Sequence, residues 1–450
     1  MRNRIWTAVL LLTISATPQL ASAQYFGQNK VRHENFDFKV LKTDHFDIYY
    51  YDEEADVVRD LGRMAERWYL RLSEVLDHDL SSRQPVIIYA SHPPFRATTV
   101  LPDFIGETTG GVTEGLRRRV VLPFAGSLKE TDHVLGHELV HAFQYDIGRR
   151  GDPMAAASLP LWFIEGMAEY LSVGPADTQT AMWMRDAVLR ELLPDIDHLD
   201  DPRYFPYRYG HAFWAYLAGK YGDDVIARIL RRATDSGDVA EAIGRVLSVN
   251  PKVLSQEWHD ALRAEYQPIL RASLESVELG TTLIQADRSG GQVNVGPALS
   301  PDGSQMIFYS ERDLFSIDLY LADARTGEIK DKITETALDA HVDSLQFVNS
   351  AGAWTRDGQR FAFSSIRDGR PEISVFNVEN RKTEQRVAFP QLGEIYNITW
   401  SPDGRSVAFS AMAGAVTDIF ILDLKTENLR QLTDDAFADL QPAWSPDGTR

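Results

Sequence analysis

The chain has 450 residues, enough for about two or three domains with cores of their own. With 44% hydrophobic and 25% charged residues it has the composition of a globular protein, which excludes wholesale disorder. The 46 Lys and Arg against 65 Asp and Glu give a formal net charge of −19, which argues against nucleic acid as a partner. Cysteine is absent, which excludes disulfide bonds, thiolate metal ligands and a cysteine nucleophile.

The first 23 residues have the pattern of a secretory signal peptide. Arg2 and Arg4 precede a short apolar run, and residues 21–23 (Ala-Ser-Ala) match the motif before a signal peptidase cleavage site. We therefore predict an exported protein, periplasmic or extracellular, with a mature N-terminus at Gln24. No later segment offers about 18 uninterrupted apolar residues, so the sequence predicts no transmembrane segment.

Residues 24–276 form the first predicted domain, which is of the α+β class with a mainly helical second half. Strands are expected at 45–51, 85–90 and 119–123, and a helix at 53–76 lies between the first two. Apolar residues at helical spacing predict seven further helices, at 128–147, 161–172, 178–192, 208–221, 223–233, 237–247 and 251–275.

A four-residue pattern recurs in the rest of the chain, after a predicted linker at 277–290. Ser300-Pro301-Asp302-Gly303 has counterparts at 355–358, 401–404 and 445–448, with Asp-to-Asp spacings of 55, 46 and 44 residues. This period is close to one four-stranded propeller blade, and Asp-Gly turns are typical of hairpins. We therefore predict an incomplete all-β propeller over 291–450, with three blades and the start of a fourth.

These repeats resemble those of TolB-like periplasmic proteins. Leu432-Thr433-Asp434-Asp435 also resembles the segment that closes a blade in that family. Because the chain ends just inside the fourth repeat, we expect it to be part of a longer protein.

The segment His137-Glu138-Leu139-Val140-His141 has the H-E-x-x-H pattern of a zinc site. On a helix, its two histidines lie about 40° apart around the axis and about 6 Å along it, so both imidazoles can reach one ion. Neutral imidazoles suit Zn²⁺, and Glu138 beside them is a candidate general base. Ser127 and Glu130 have the spacing of a capping box at the start of this helix, and Gly148 is expected to end it.

The next predicted helix is apolar on most sides yet carries two glutamates. Buried carboxylates are costly unless they are paired or bind a metal, and a catalytic zinc site takes three protein ligands and one water. Glu165 is therefore the expected third ligand. Glu169, one turn later, is expected to hydrogen-bond a ligand histidine, with a surface position as the alternative. Gly166 is expected to let the two motif-bearing helices approach closely at the level of the ion.

Together these motifs resemble the gluzincin metallopeptidases of clan MA, in which H-E-x-x-H precedes a helix with W-x-x-E-G-x-A. Trp162, Glu165, Gly166 and Ala168 match that second motif, and the resemblance covers roughly 130–175. It implies a zincin-like fold, a Zn²⁺ cofactor on His137, His141 and Glu165, and a peptide or protein substrate.

The resemblance also implies a Tyr or His that stabilises the oxyanion later in the chain. Tyr207, Tyr209 and His211 are the candidates, and we favour Tyr209. Residues 110–112 and 119–122 are expected to supply either the edge strand that binds an extended peptide or the interior of the sheet.

The sequence thus predicts an exported zinc metallopeptidase whose propeller binds substrate or a protein partner. The alternative is a non-catalytic TolB-like periplasmic scaffold or binding protein, and the complete metal motif favours the enzyme. A third interpretation places a serine hydrolase domain after the blades, although these residues contain no G-x-S-x-G.

Overall fold

The structure is a computed structural model that describes residues 34–101, 105–151, 158–273, 279–285, 291, 293–313, 316–339, 341–348 and 350–450. An N-terminal part of mixed strands and helices is followed by a part built of strands alone. The predicted signal peptide, and with it the predicted cleavage site, lies outside the described residues, as does much of the predicted linker.

The N-terminal part contains one five-stranded sheet, in the order β1-β2-β3-β5-β4. Its strands are β1 Lys39–Lys42, β2 Phe46–Tyr50, β3 Gln84–Tyr89, β4 Val112–Glu114 and β5 Arg119–Pro123. β2, β3 and β5 are parallel, and β1 and β4 are antiparallel strands at the two edges. The predicted strand at 119–123 is therefore interior, and β4 is the edge strand.

Nine α-helices are described. They are α1 Val58–Leu76, α2 His92–Arg96, α3 Leu128–Arg150, α4 Leu161–Val173, α5 Thr178–Leu189, α6 Pro206–Tyr221, α7 Asp224–Ser236, α8 Val239–Leu247 and α9 Pro251–Arg271. The predicted order of helices agrees with this list apart from the short α2, which the sequence analysis missed. A single 3₁₀ turn at Asp52–Glu54 precedes α1, so that helix begins later than predicted.

Helix α3 carries the H-E-x-x-H motif; it begins at a side-chain cap and continues past its expected end. The Ser127 hydroxyl accepts a hydrogen bond from the Glu130 amide (3.1 Å), as expected of an N-cap. The expected end at Gly148 is wrong, because this glycine is buried inside the helix, which continues to Arg150 and ends at Gly151. Tertiary packing thus extends the helix past a residue that usually ends one.

Close packing against α1 fixes the position of α3 relative to the sheet. A side chain at Gly136 would collide with the Trp68 indole. The Trp68 Nε1–H donates to the Asp132 carbonyl (3.0 Å) and to its carboxylate (2.9 Å). This contact holds the first half of α3, just before His137, against the core.

The described residues of the second part form three antiparallel sheets. The first contains β6 Asn294–Leu299, β7 Gln305–Ser310, β8 Asp318–Asp323 and β9 Ile329–Lys332. The second contains β10 Val342–Leu345, β11 Ala353–Trp354, β12 Arg360–Arg367, β13 Arg370–Asn377 and β14 Lys382–Ala388. The third contains β15 Ile395–Trp400, β16 Ser406–Ala413, β17 Val416–Asp423 and β18 Asn428–Gln431.

The repeated Asp-Gly turns have the same geometry in each sheet. Hydroxyl–carboxylate hydrogen bonds join Ser300 to Asp302 (2.6 Å) and Ser401 to Asp403 (2.7 Å). The glycines that follow have φ values of 69° and 68°, which favour glycine because other residues rarely adopt a left-handed backbone. The Trp400 indole also donates to the Ala353 carbonyl of the preceding sheet (2.9 Å). The repeat is thus a structural unit with equivalent contacts.

The two parts of the chain are in direct contact. Met412 and Ala415, at the hairpin between β16 and β17, belong to the apolar core of the N-terminal part. The Thr417 amide donates to the Gly126 carbonyl (3.0 Å), in the loop just before α3. The second part therefore packs against the loop that leads into the motif-bearing helix.

Candidate metal and active site

Three side chains from two helices converge on one point. His137 and His141 lie on α3, Glu165 lies on α4, and the two histidines are nearly buried. The His137 Nε2 atom is 3.1 Å from the His141 Nε2 atom and 3.1 Å from Glu165 Oε2, and His141 Nε2 is 3.2 Å from the same oxygen. Among the described residues, no other group of at least three His, Cys, Asp or Glu side chains brings its ligand atoms this close together.

The dimensions of this triangle suit a tetrahedral zinc ion. Ligand atoms that lie about 2.0 to 2.1 Å from such an ion are about 3.3 Å from one another. Two imidazole nitrogens and one carboxylate oxygen are also a ligand set that catalytic zinc sites use. The residues present therefore fit the cofactor that the motif implies.

The opposite nitrogen of each imidazole also has a partner. His137 Nδ1 lies 3.1 Å from Glu169 Oε1, and His141 Nδ1 lies 2.8 Å from Gln144 Oε1. The Gln144 amide in turn donates to the Ile164 carbonyl (3.0 Å), which ties α3 to α4. A neutral imidazole that carries its proton on Nδ1 directs its Nε2 lone pair at the shared point, and these two partners favour that tautomer. Sequence reasoning missed Gln144, although its position three residues after His141 places it on the same helix face.

The charges of the two carboxylates dominate the site. Burial would lower the pKa of His137, but hydrogen bonds to Glu165 and Glu169 raise it to about 10. Burial would raise the pKa of Glu165, but hydrogen bonds to His137 and His141 lower it. The cluster is therefore a strongly anionic setting that favours a positive charge between these three side chains.

Glu138 lies beside the triangle and faces the edge strand. Its Oε2 atom accepts a hydrogen bond from the Thr113 hydroxyl of β4 (2.6 Å). A β-carbon at Gly111 would lie 2.7 Å from Glu138 Cγ and 2.8 Å from Oε1, so only glycine leaves room for the carboxylate in this position. The loop and strand at residues 111–113 thus hold the candidate general base.

The expectation that Tyr209 faces the metal position is corrected. Its hydroxyl donates to the Leu192 carbonyl (3.1 Å), and its buried ring packs against Tyr204 (5.1 Å between centroids). His211, another candidate, is also buried, with its Nε2 atom 2.8 Å from the Gly174 carbonyl. Helical geometry puts neighbours two residues apart on different faces, and here the inward face belongs to the core.

Tyr207 is the candidate that reaches the site. Its ring stacks on the His137 imidazole, with centroids 6.0 Å apart and an interplanar angle of 15°. Burial and the charges of Glu165 and Glu138 raise the pKa of Tyr207, and a hydrogen bond to Glu165 adds to this effect. The phenol therefore stays protonated and can donate a hydrogen bond beside His137 and Glu165.

Arg208 is a second residue that sequence reasoning missed. It lies between Glu169 and Asp177, with N–O distances of 2.8 and 3.2 Å. Asp177 also accepts a hydrogen bond from the Thr180 amide (2.6 Å) at the start of α5. One guanidinium therefore ties together the beginnings of α5 and α6 and the glutamate that holds His137.

The close approach expected at Gly166 occurs, but with a different helix. A side chain at Gly166 would collide with the backbone of Gly210 on α6, and one at Gly210 would collide with the Trp162 carbonyl. The prediction that Gly166 brings α3 and α4 together is therefore wrong. The glycine pair instead brings α6, and with it Tyr207, close to the ligand-bearing helix.

Two family models match separate regions of the chain. Residues 122–248, which contain His137, His141 and Glu165, match the family BSP, described as peptidase of plants and bacteria. Residues 342–450 match PD40, described as TolB beta propeller domain. The predicted TolB-like repeat is thereby confirmed, and the first match supports a peptidase-related protein. Among the described helices, none is long and apolar enough to cross a membrane.

Individual relatives cover only parts of the chain. The Tol-Pal system protein TolB of Anaeromyxobacter dehalogenans is 38% identical over 95 residues, which is 20% of this chain and 20% of that protein. An uncharacterized peptidase, YuxL of Bacillus subtilis, is 26% identical over 161 residues, or 35% of this chain and 21% of that protein. The crystal structure of TolB from Acinetobacter baumannii is 27% identical in sequence. The match covers 34% of this chain and 35% of the TolB chain, with a TM-score of 0.28. The chain thus spans about one fifth of the length of these curated relatives.

Proposed function

We propose that this protein is an exported zinc-dependent metallopeptidase of the gluzincin type, with a zincin-like catalytic domain and a propeller that binds substrate or a protein partner. The observation that carries the proposal is the triangle of His137, His141 and Glu165 with Glu138 beside it. The match of residues 122–248 to a peptidase family supports it independently.

When bound, the zinc ion would supply a Lewis acid that activates water and polarises the scissile carbonyl. Glu138 accepts the proton of the attacking water and delivers it to the leaving amine. The Tyr207 hydroxyl, kept protonated beside Glu165, donates a hydrogen bond to the oxyanion that develops on the carbonyl oxygen. Glu169 and Gln144 hold the two imidazoles in the orientation that this chemistry needs.

Strand β4 is the surface on which an extended peptide substrate would lie. It pairs with β5 on one side and forms an edge of the described sheet on the other. Because the Thr113 hydroxyl contacts Glu138 directly, a peptide added to this edge lies next to the general base.

Export and a binding role for the propeller complete the proposal. The pattern in residues 1–23 supports export, and N-terminal sequencing of the secreted protein should find Gln24 first. Propellers are folds that commonly mediate protein interactions, so this part is assigned the binding of substrate or of a partner protein.

Metal analysis and peptide cleavage by the purified chain test the enzymatic proposal. The wild-type protein should bind one zinc ion, and chelation should abolish the cleavage of a denatured protein substrate. Glu138→Gln should keep the zinc and lose about 10² to 10⁴ in rate, because an amide accepts no proton from water. Glu130→Gln, an exposed change on the same helix, serves as the matched control. If the chain took up no zinc and cleaved nothing, the non-catalytic binding protein would be the better interpretation.

A further inference from the structure

A row of aromatic rings leads outward from the metal ligands. Tyr207 stacks on His137, Phe205 packs on Tyr207 with centroids 5.3 Å apart, and Trp183 packs on Phe205 at the same distance. The interplanar angles between successive rings are 15°, 33° and 35°, so the rings form a tilted stack rather than separate contacts. We call Tyr207, Phe205 and Trp183 the aromatic strip.

Exposure increases along this strip away from the site. His137 is buried and Tyr207 is half-buried, whereas Phe205 and Trp183 are 40% and 39% exposed. The neighbouring Tyr204 and Tyr209 both point into the core. The same stretch of chain therefore has two buried aromatic residues in the core and leaves Phe205 and Trp183 in contact with solvent beside the site.

Ion pairs beside the strip hold its rings in place. Arg208, next to Tyr207 in the chain, is ion-paired with Glu169 and Asp177. Asp177 caps α5, the helix that carries Trp183. These pairs fix the two helices that supply the rings, so the exposed surface is preorganised for a ligand.

The size of the exposed surface decides which kind of occupant fits. A large aromatic side chain buries roughly 200 Å² when covered, so two rings that are about 40% exposed offer about 160 Å². A stable protein interface needs about 800 Å² on each partner. The exposed area of the two rings thus matches one large side chain, whereas a docked domain would need several times more surface around them.

We propose that the aromatic strip is the subsite for one aromatic or other large apolar side chain of the substrate, next to the scissile bond. This inference rests on the proposed peptidase function and names its substrate class. Two partly exposed apolar rings favour an uncharged side chain, and a phenyl ring gains both apolar burial and aromatic contacts there.

Binding measurements on the full chain test the subsite without turnover. Two labelled peptides are used that carry either Phe or Ala at the position beside the scissile bond and are otherwise identical. Fluorescence anisotropy gives the dissociation constant of each peptide for the Glu138→Gln protein. We expect the Phe peptide to bind about tenfold more tightly. Adding Phe205→Ala should remove most of that difference, and Phe205→Tyr, which retains a ring, should restore it.

Phe437→Ala is the matched control, because Phe437 is 76% exposed and lies in the propeller. The control should keep the full preference for the Phe peptide. Equal binding of the two peptides by the parent protein, or the same preference in Phe205→Ala as in Phe437→Ala, would overturn the inference.

Zinc content and cleavage by the otherwise wild-type chain report separately on the proposed function. A protein that binds zinc and cleaves peptides without a preference for Phe would overturn the subsite alone. A protein that takes up no zinc but binds the Phe peptide through Phe205 would overturn the peptidase proposal and leave only the binding of an aromatic side chain by the strip.

Discussion

Glu165 and Glu169, one turn apart on α4, contact opposite nitrogens of the same imidazole. Glu165 Oε2 lies 3.1 Å from His137 Nε2, and Glu169 Oε1 lies 3.1 Å from His137 Nδ1. Only Glu165 also reaches His141, at 3.2 Å. The two acids thus contact opposite sides of the ring, and we expect this difference to give them different roles toward a metal.

We expect Glu165→Gln to abolish zinc binding and Glu169→Gln to weaken it by about 10 to 100-fold. The first change removes a ligand oxygen, whereas the second removes only the partner that orients His137. Zinc titration of the two purified variants measures the difference, with Glu130→Gln as an exposed control on α3. Retention of zinc by Glu165→Gln and its loss in Glu169→Gln would reverse the assignment.

Tyrosine substitutions on α6 should separate chemistry from packing. Tyr207→Phe should lower kcat by about 10² to 10³, because it removes the donor placed at the developing oxyanion. Tyr209→Phe should leave kcat near that of the wild type but cost about 1 kcal/mol of unfolding free energy, because the Leu192 carbonyl loses its buried partner. Steady-state kinetics and chemical denaturation of both variants provide the test, and a large fall in kcat for Tyr209→Phe alone would restore the original assignment.

Gly111→Ala should damage catalysis more than stability. The added methyl group would displace the Glu138 side chain and break its hydrogen bond to Thr113, and a shift of about 1 Å in a catalytic group costs about 10²-fold in rate. Gly106→Ala is the control from the same loop, since its β-carbon would lie 3.8 Å from the nearest atom. Comparable kcat values for the two variants would show that Glu138 needs no such support.

A pair of acids lies at the contact between the two parts of the chain. Burial and the charge of Glu394 raise the pKa of Glu107 to about 8, against the opposing effects of Arg96 and the amides of Phe347 and Val348. Burial also raises the pKa of Glu394. One acid comes from the loop before β4 and the other from the propeller, so their ionisation affects how the two parts fit together.

The free energy of unfolding should therefore fall as the pH rises from the ordinary carboxyl pKa to about 8. Below the ordinary carboxyl pKa, Glu107 is protonated in both the folded and the unfolded chain. Between the ordinary carboxyl pKa and about pH 8, Glu107 releases its proton in the unfolded chain only, and this release favours unfolding. Melting temperatures at pH 5, 7 and 9 should thus decline less in Glu107→Gln than in the wild type. Glu379→Gln, an exposed change in the propeller, should follow the wild type, and an identical decline in all three proteins would contradict the prediction.

Much of the local structure could be predicted from the sequence, because its signals are local. Helical spacing around His137 and His141 and the Ser127 cap depend on residues within a few positions of one another, as does each Asp-Gly turn. The same locality explains the error at Gly148, where burial among distant residues outweighs the usual tendency of glycine to end a helix.

Within the site, the sequence by itself determined which residue types are available. They are two histidines one turn apart on α3 with a glutamate between them, and two glutamates one turn apart on α4. The tertiary structure alone decided which tyrosine of α6 faces them, because that depends on how Gly210 packs against Gly166. It also brought Gln144 and Arg208 into contact with α4 and placed Gly111 against Glu138, since these contacts join residues on different elements. The pattern of side chains determines which residues share a face of each helix. Only the packing of helices and sheet against one another determines which faces meet.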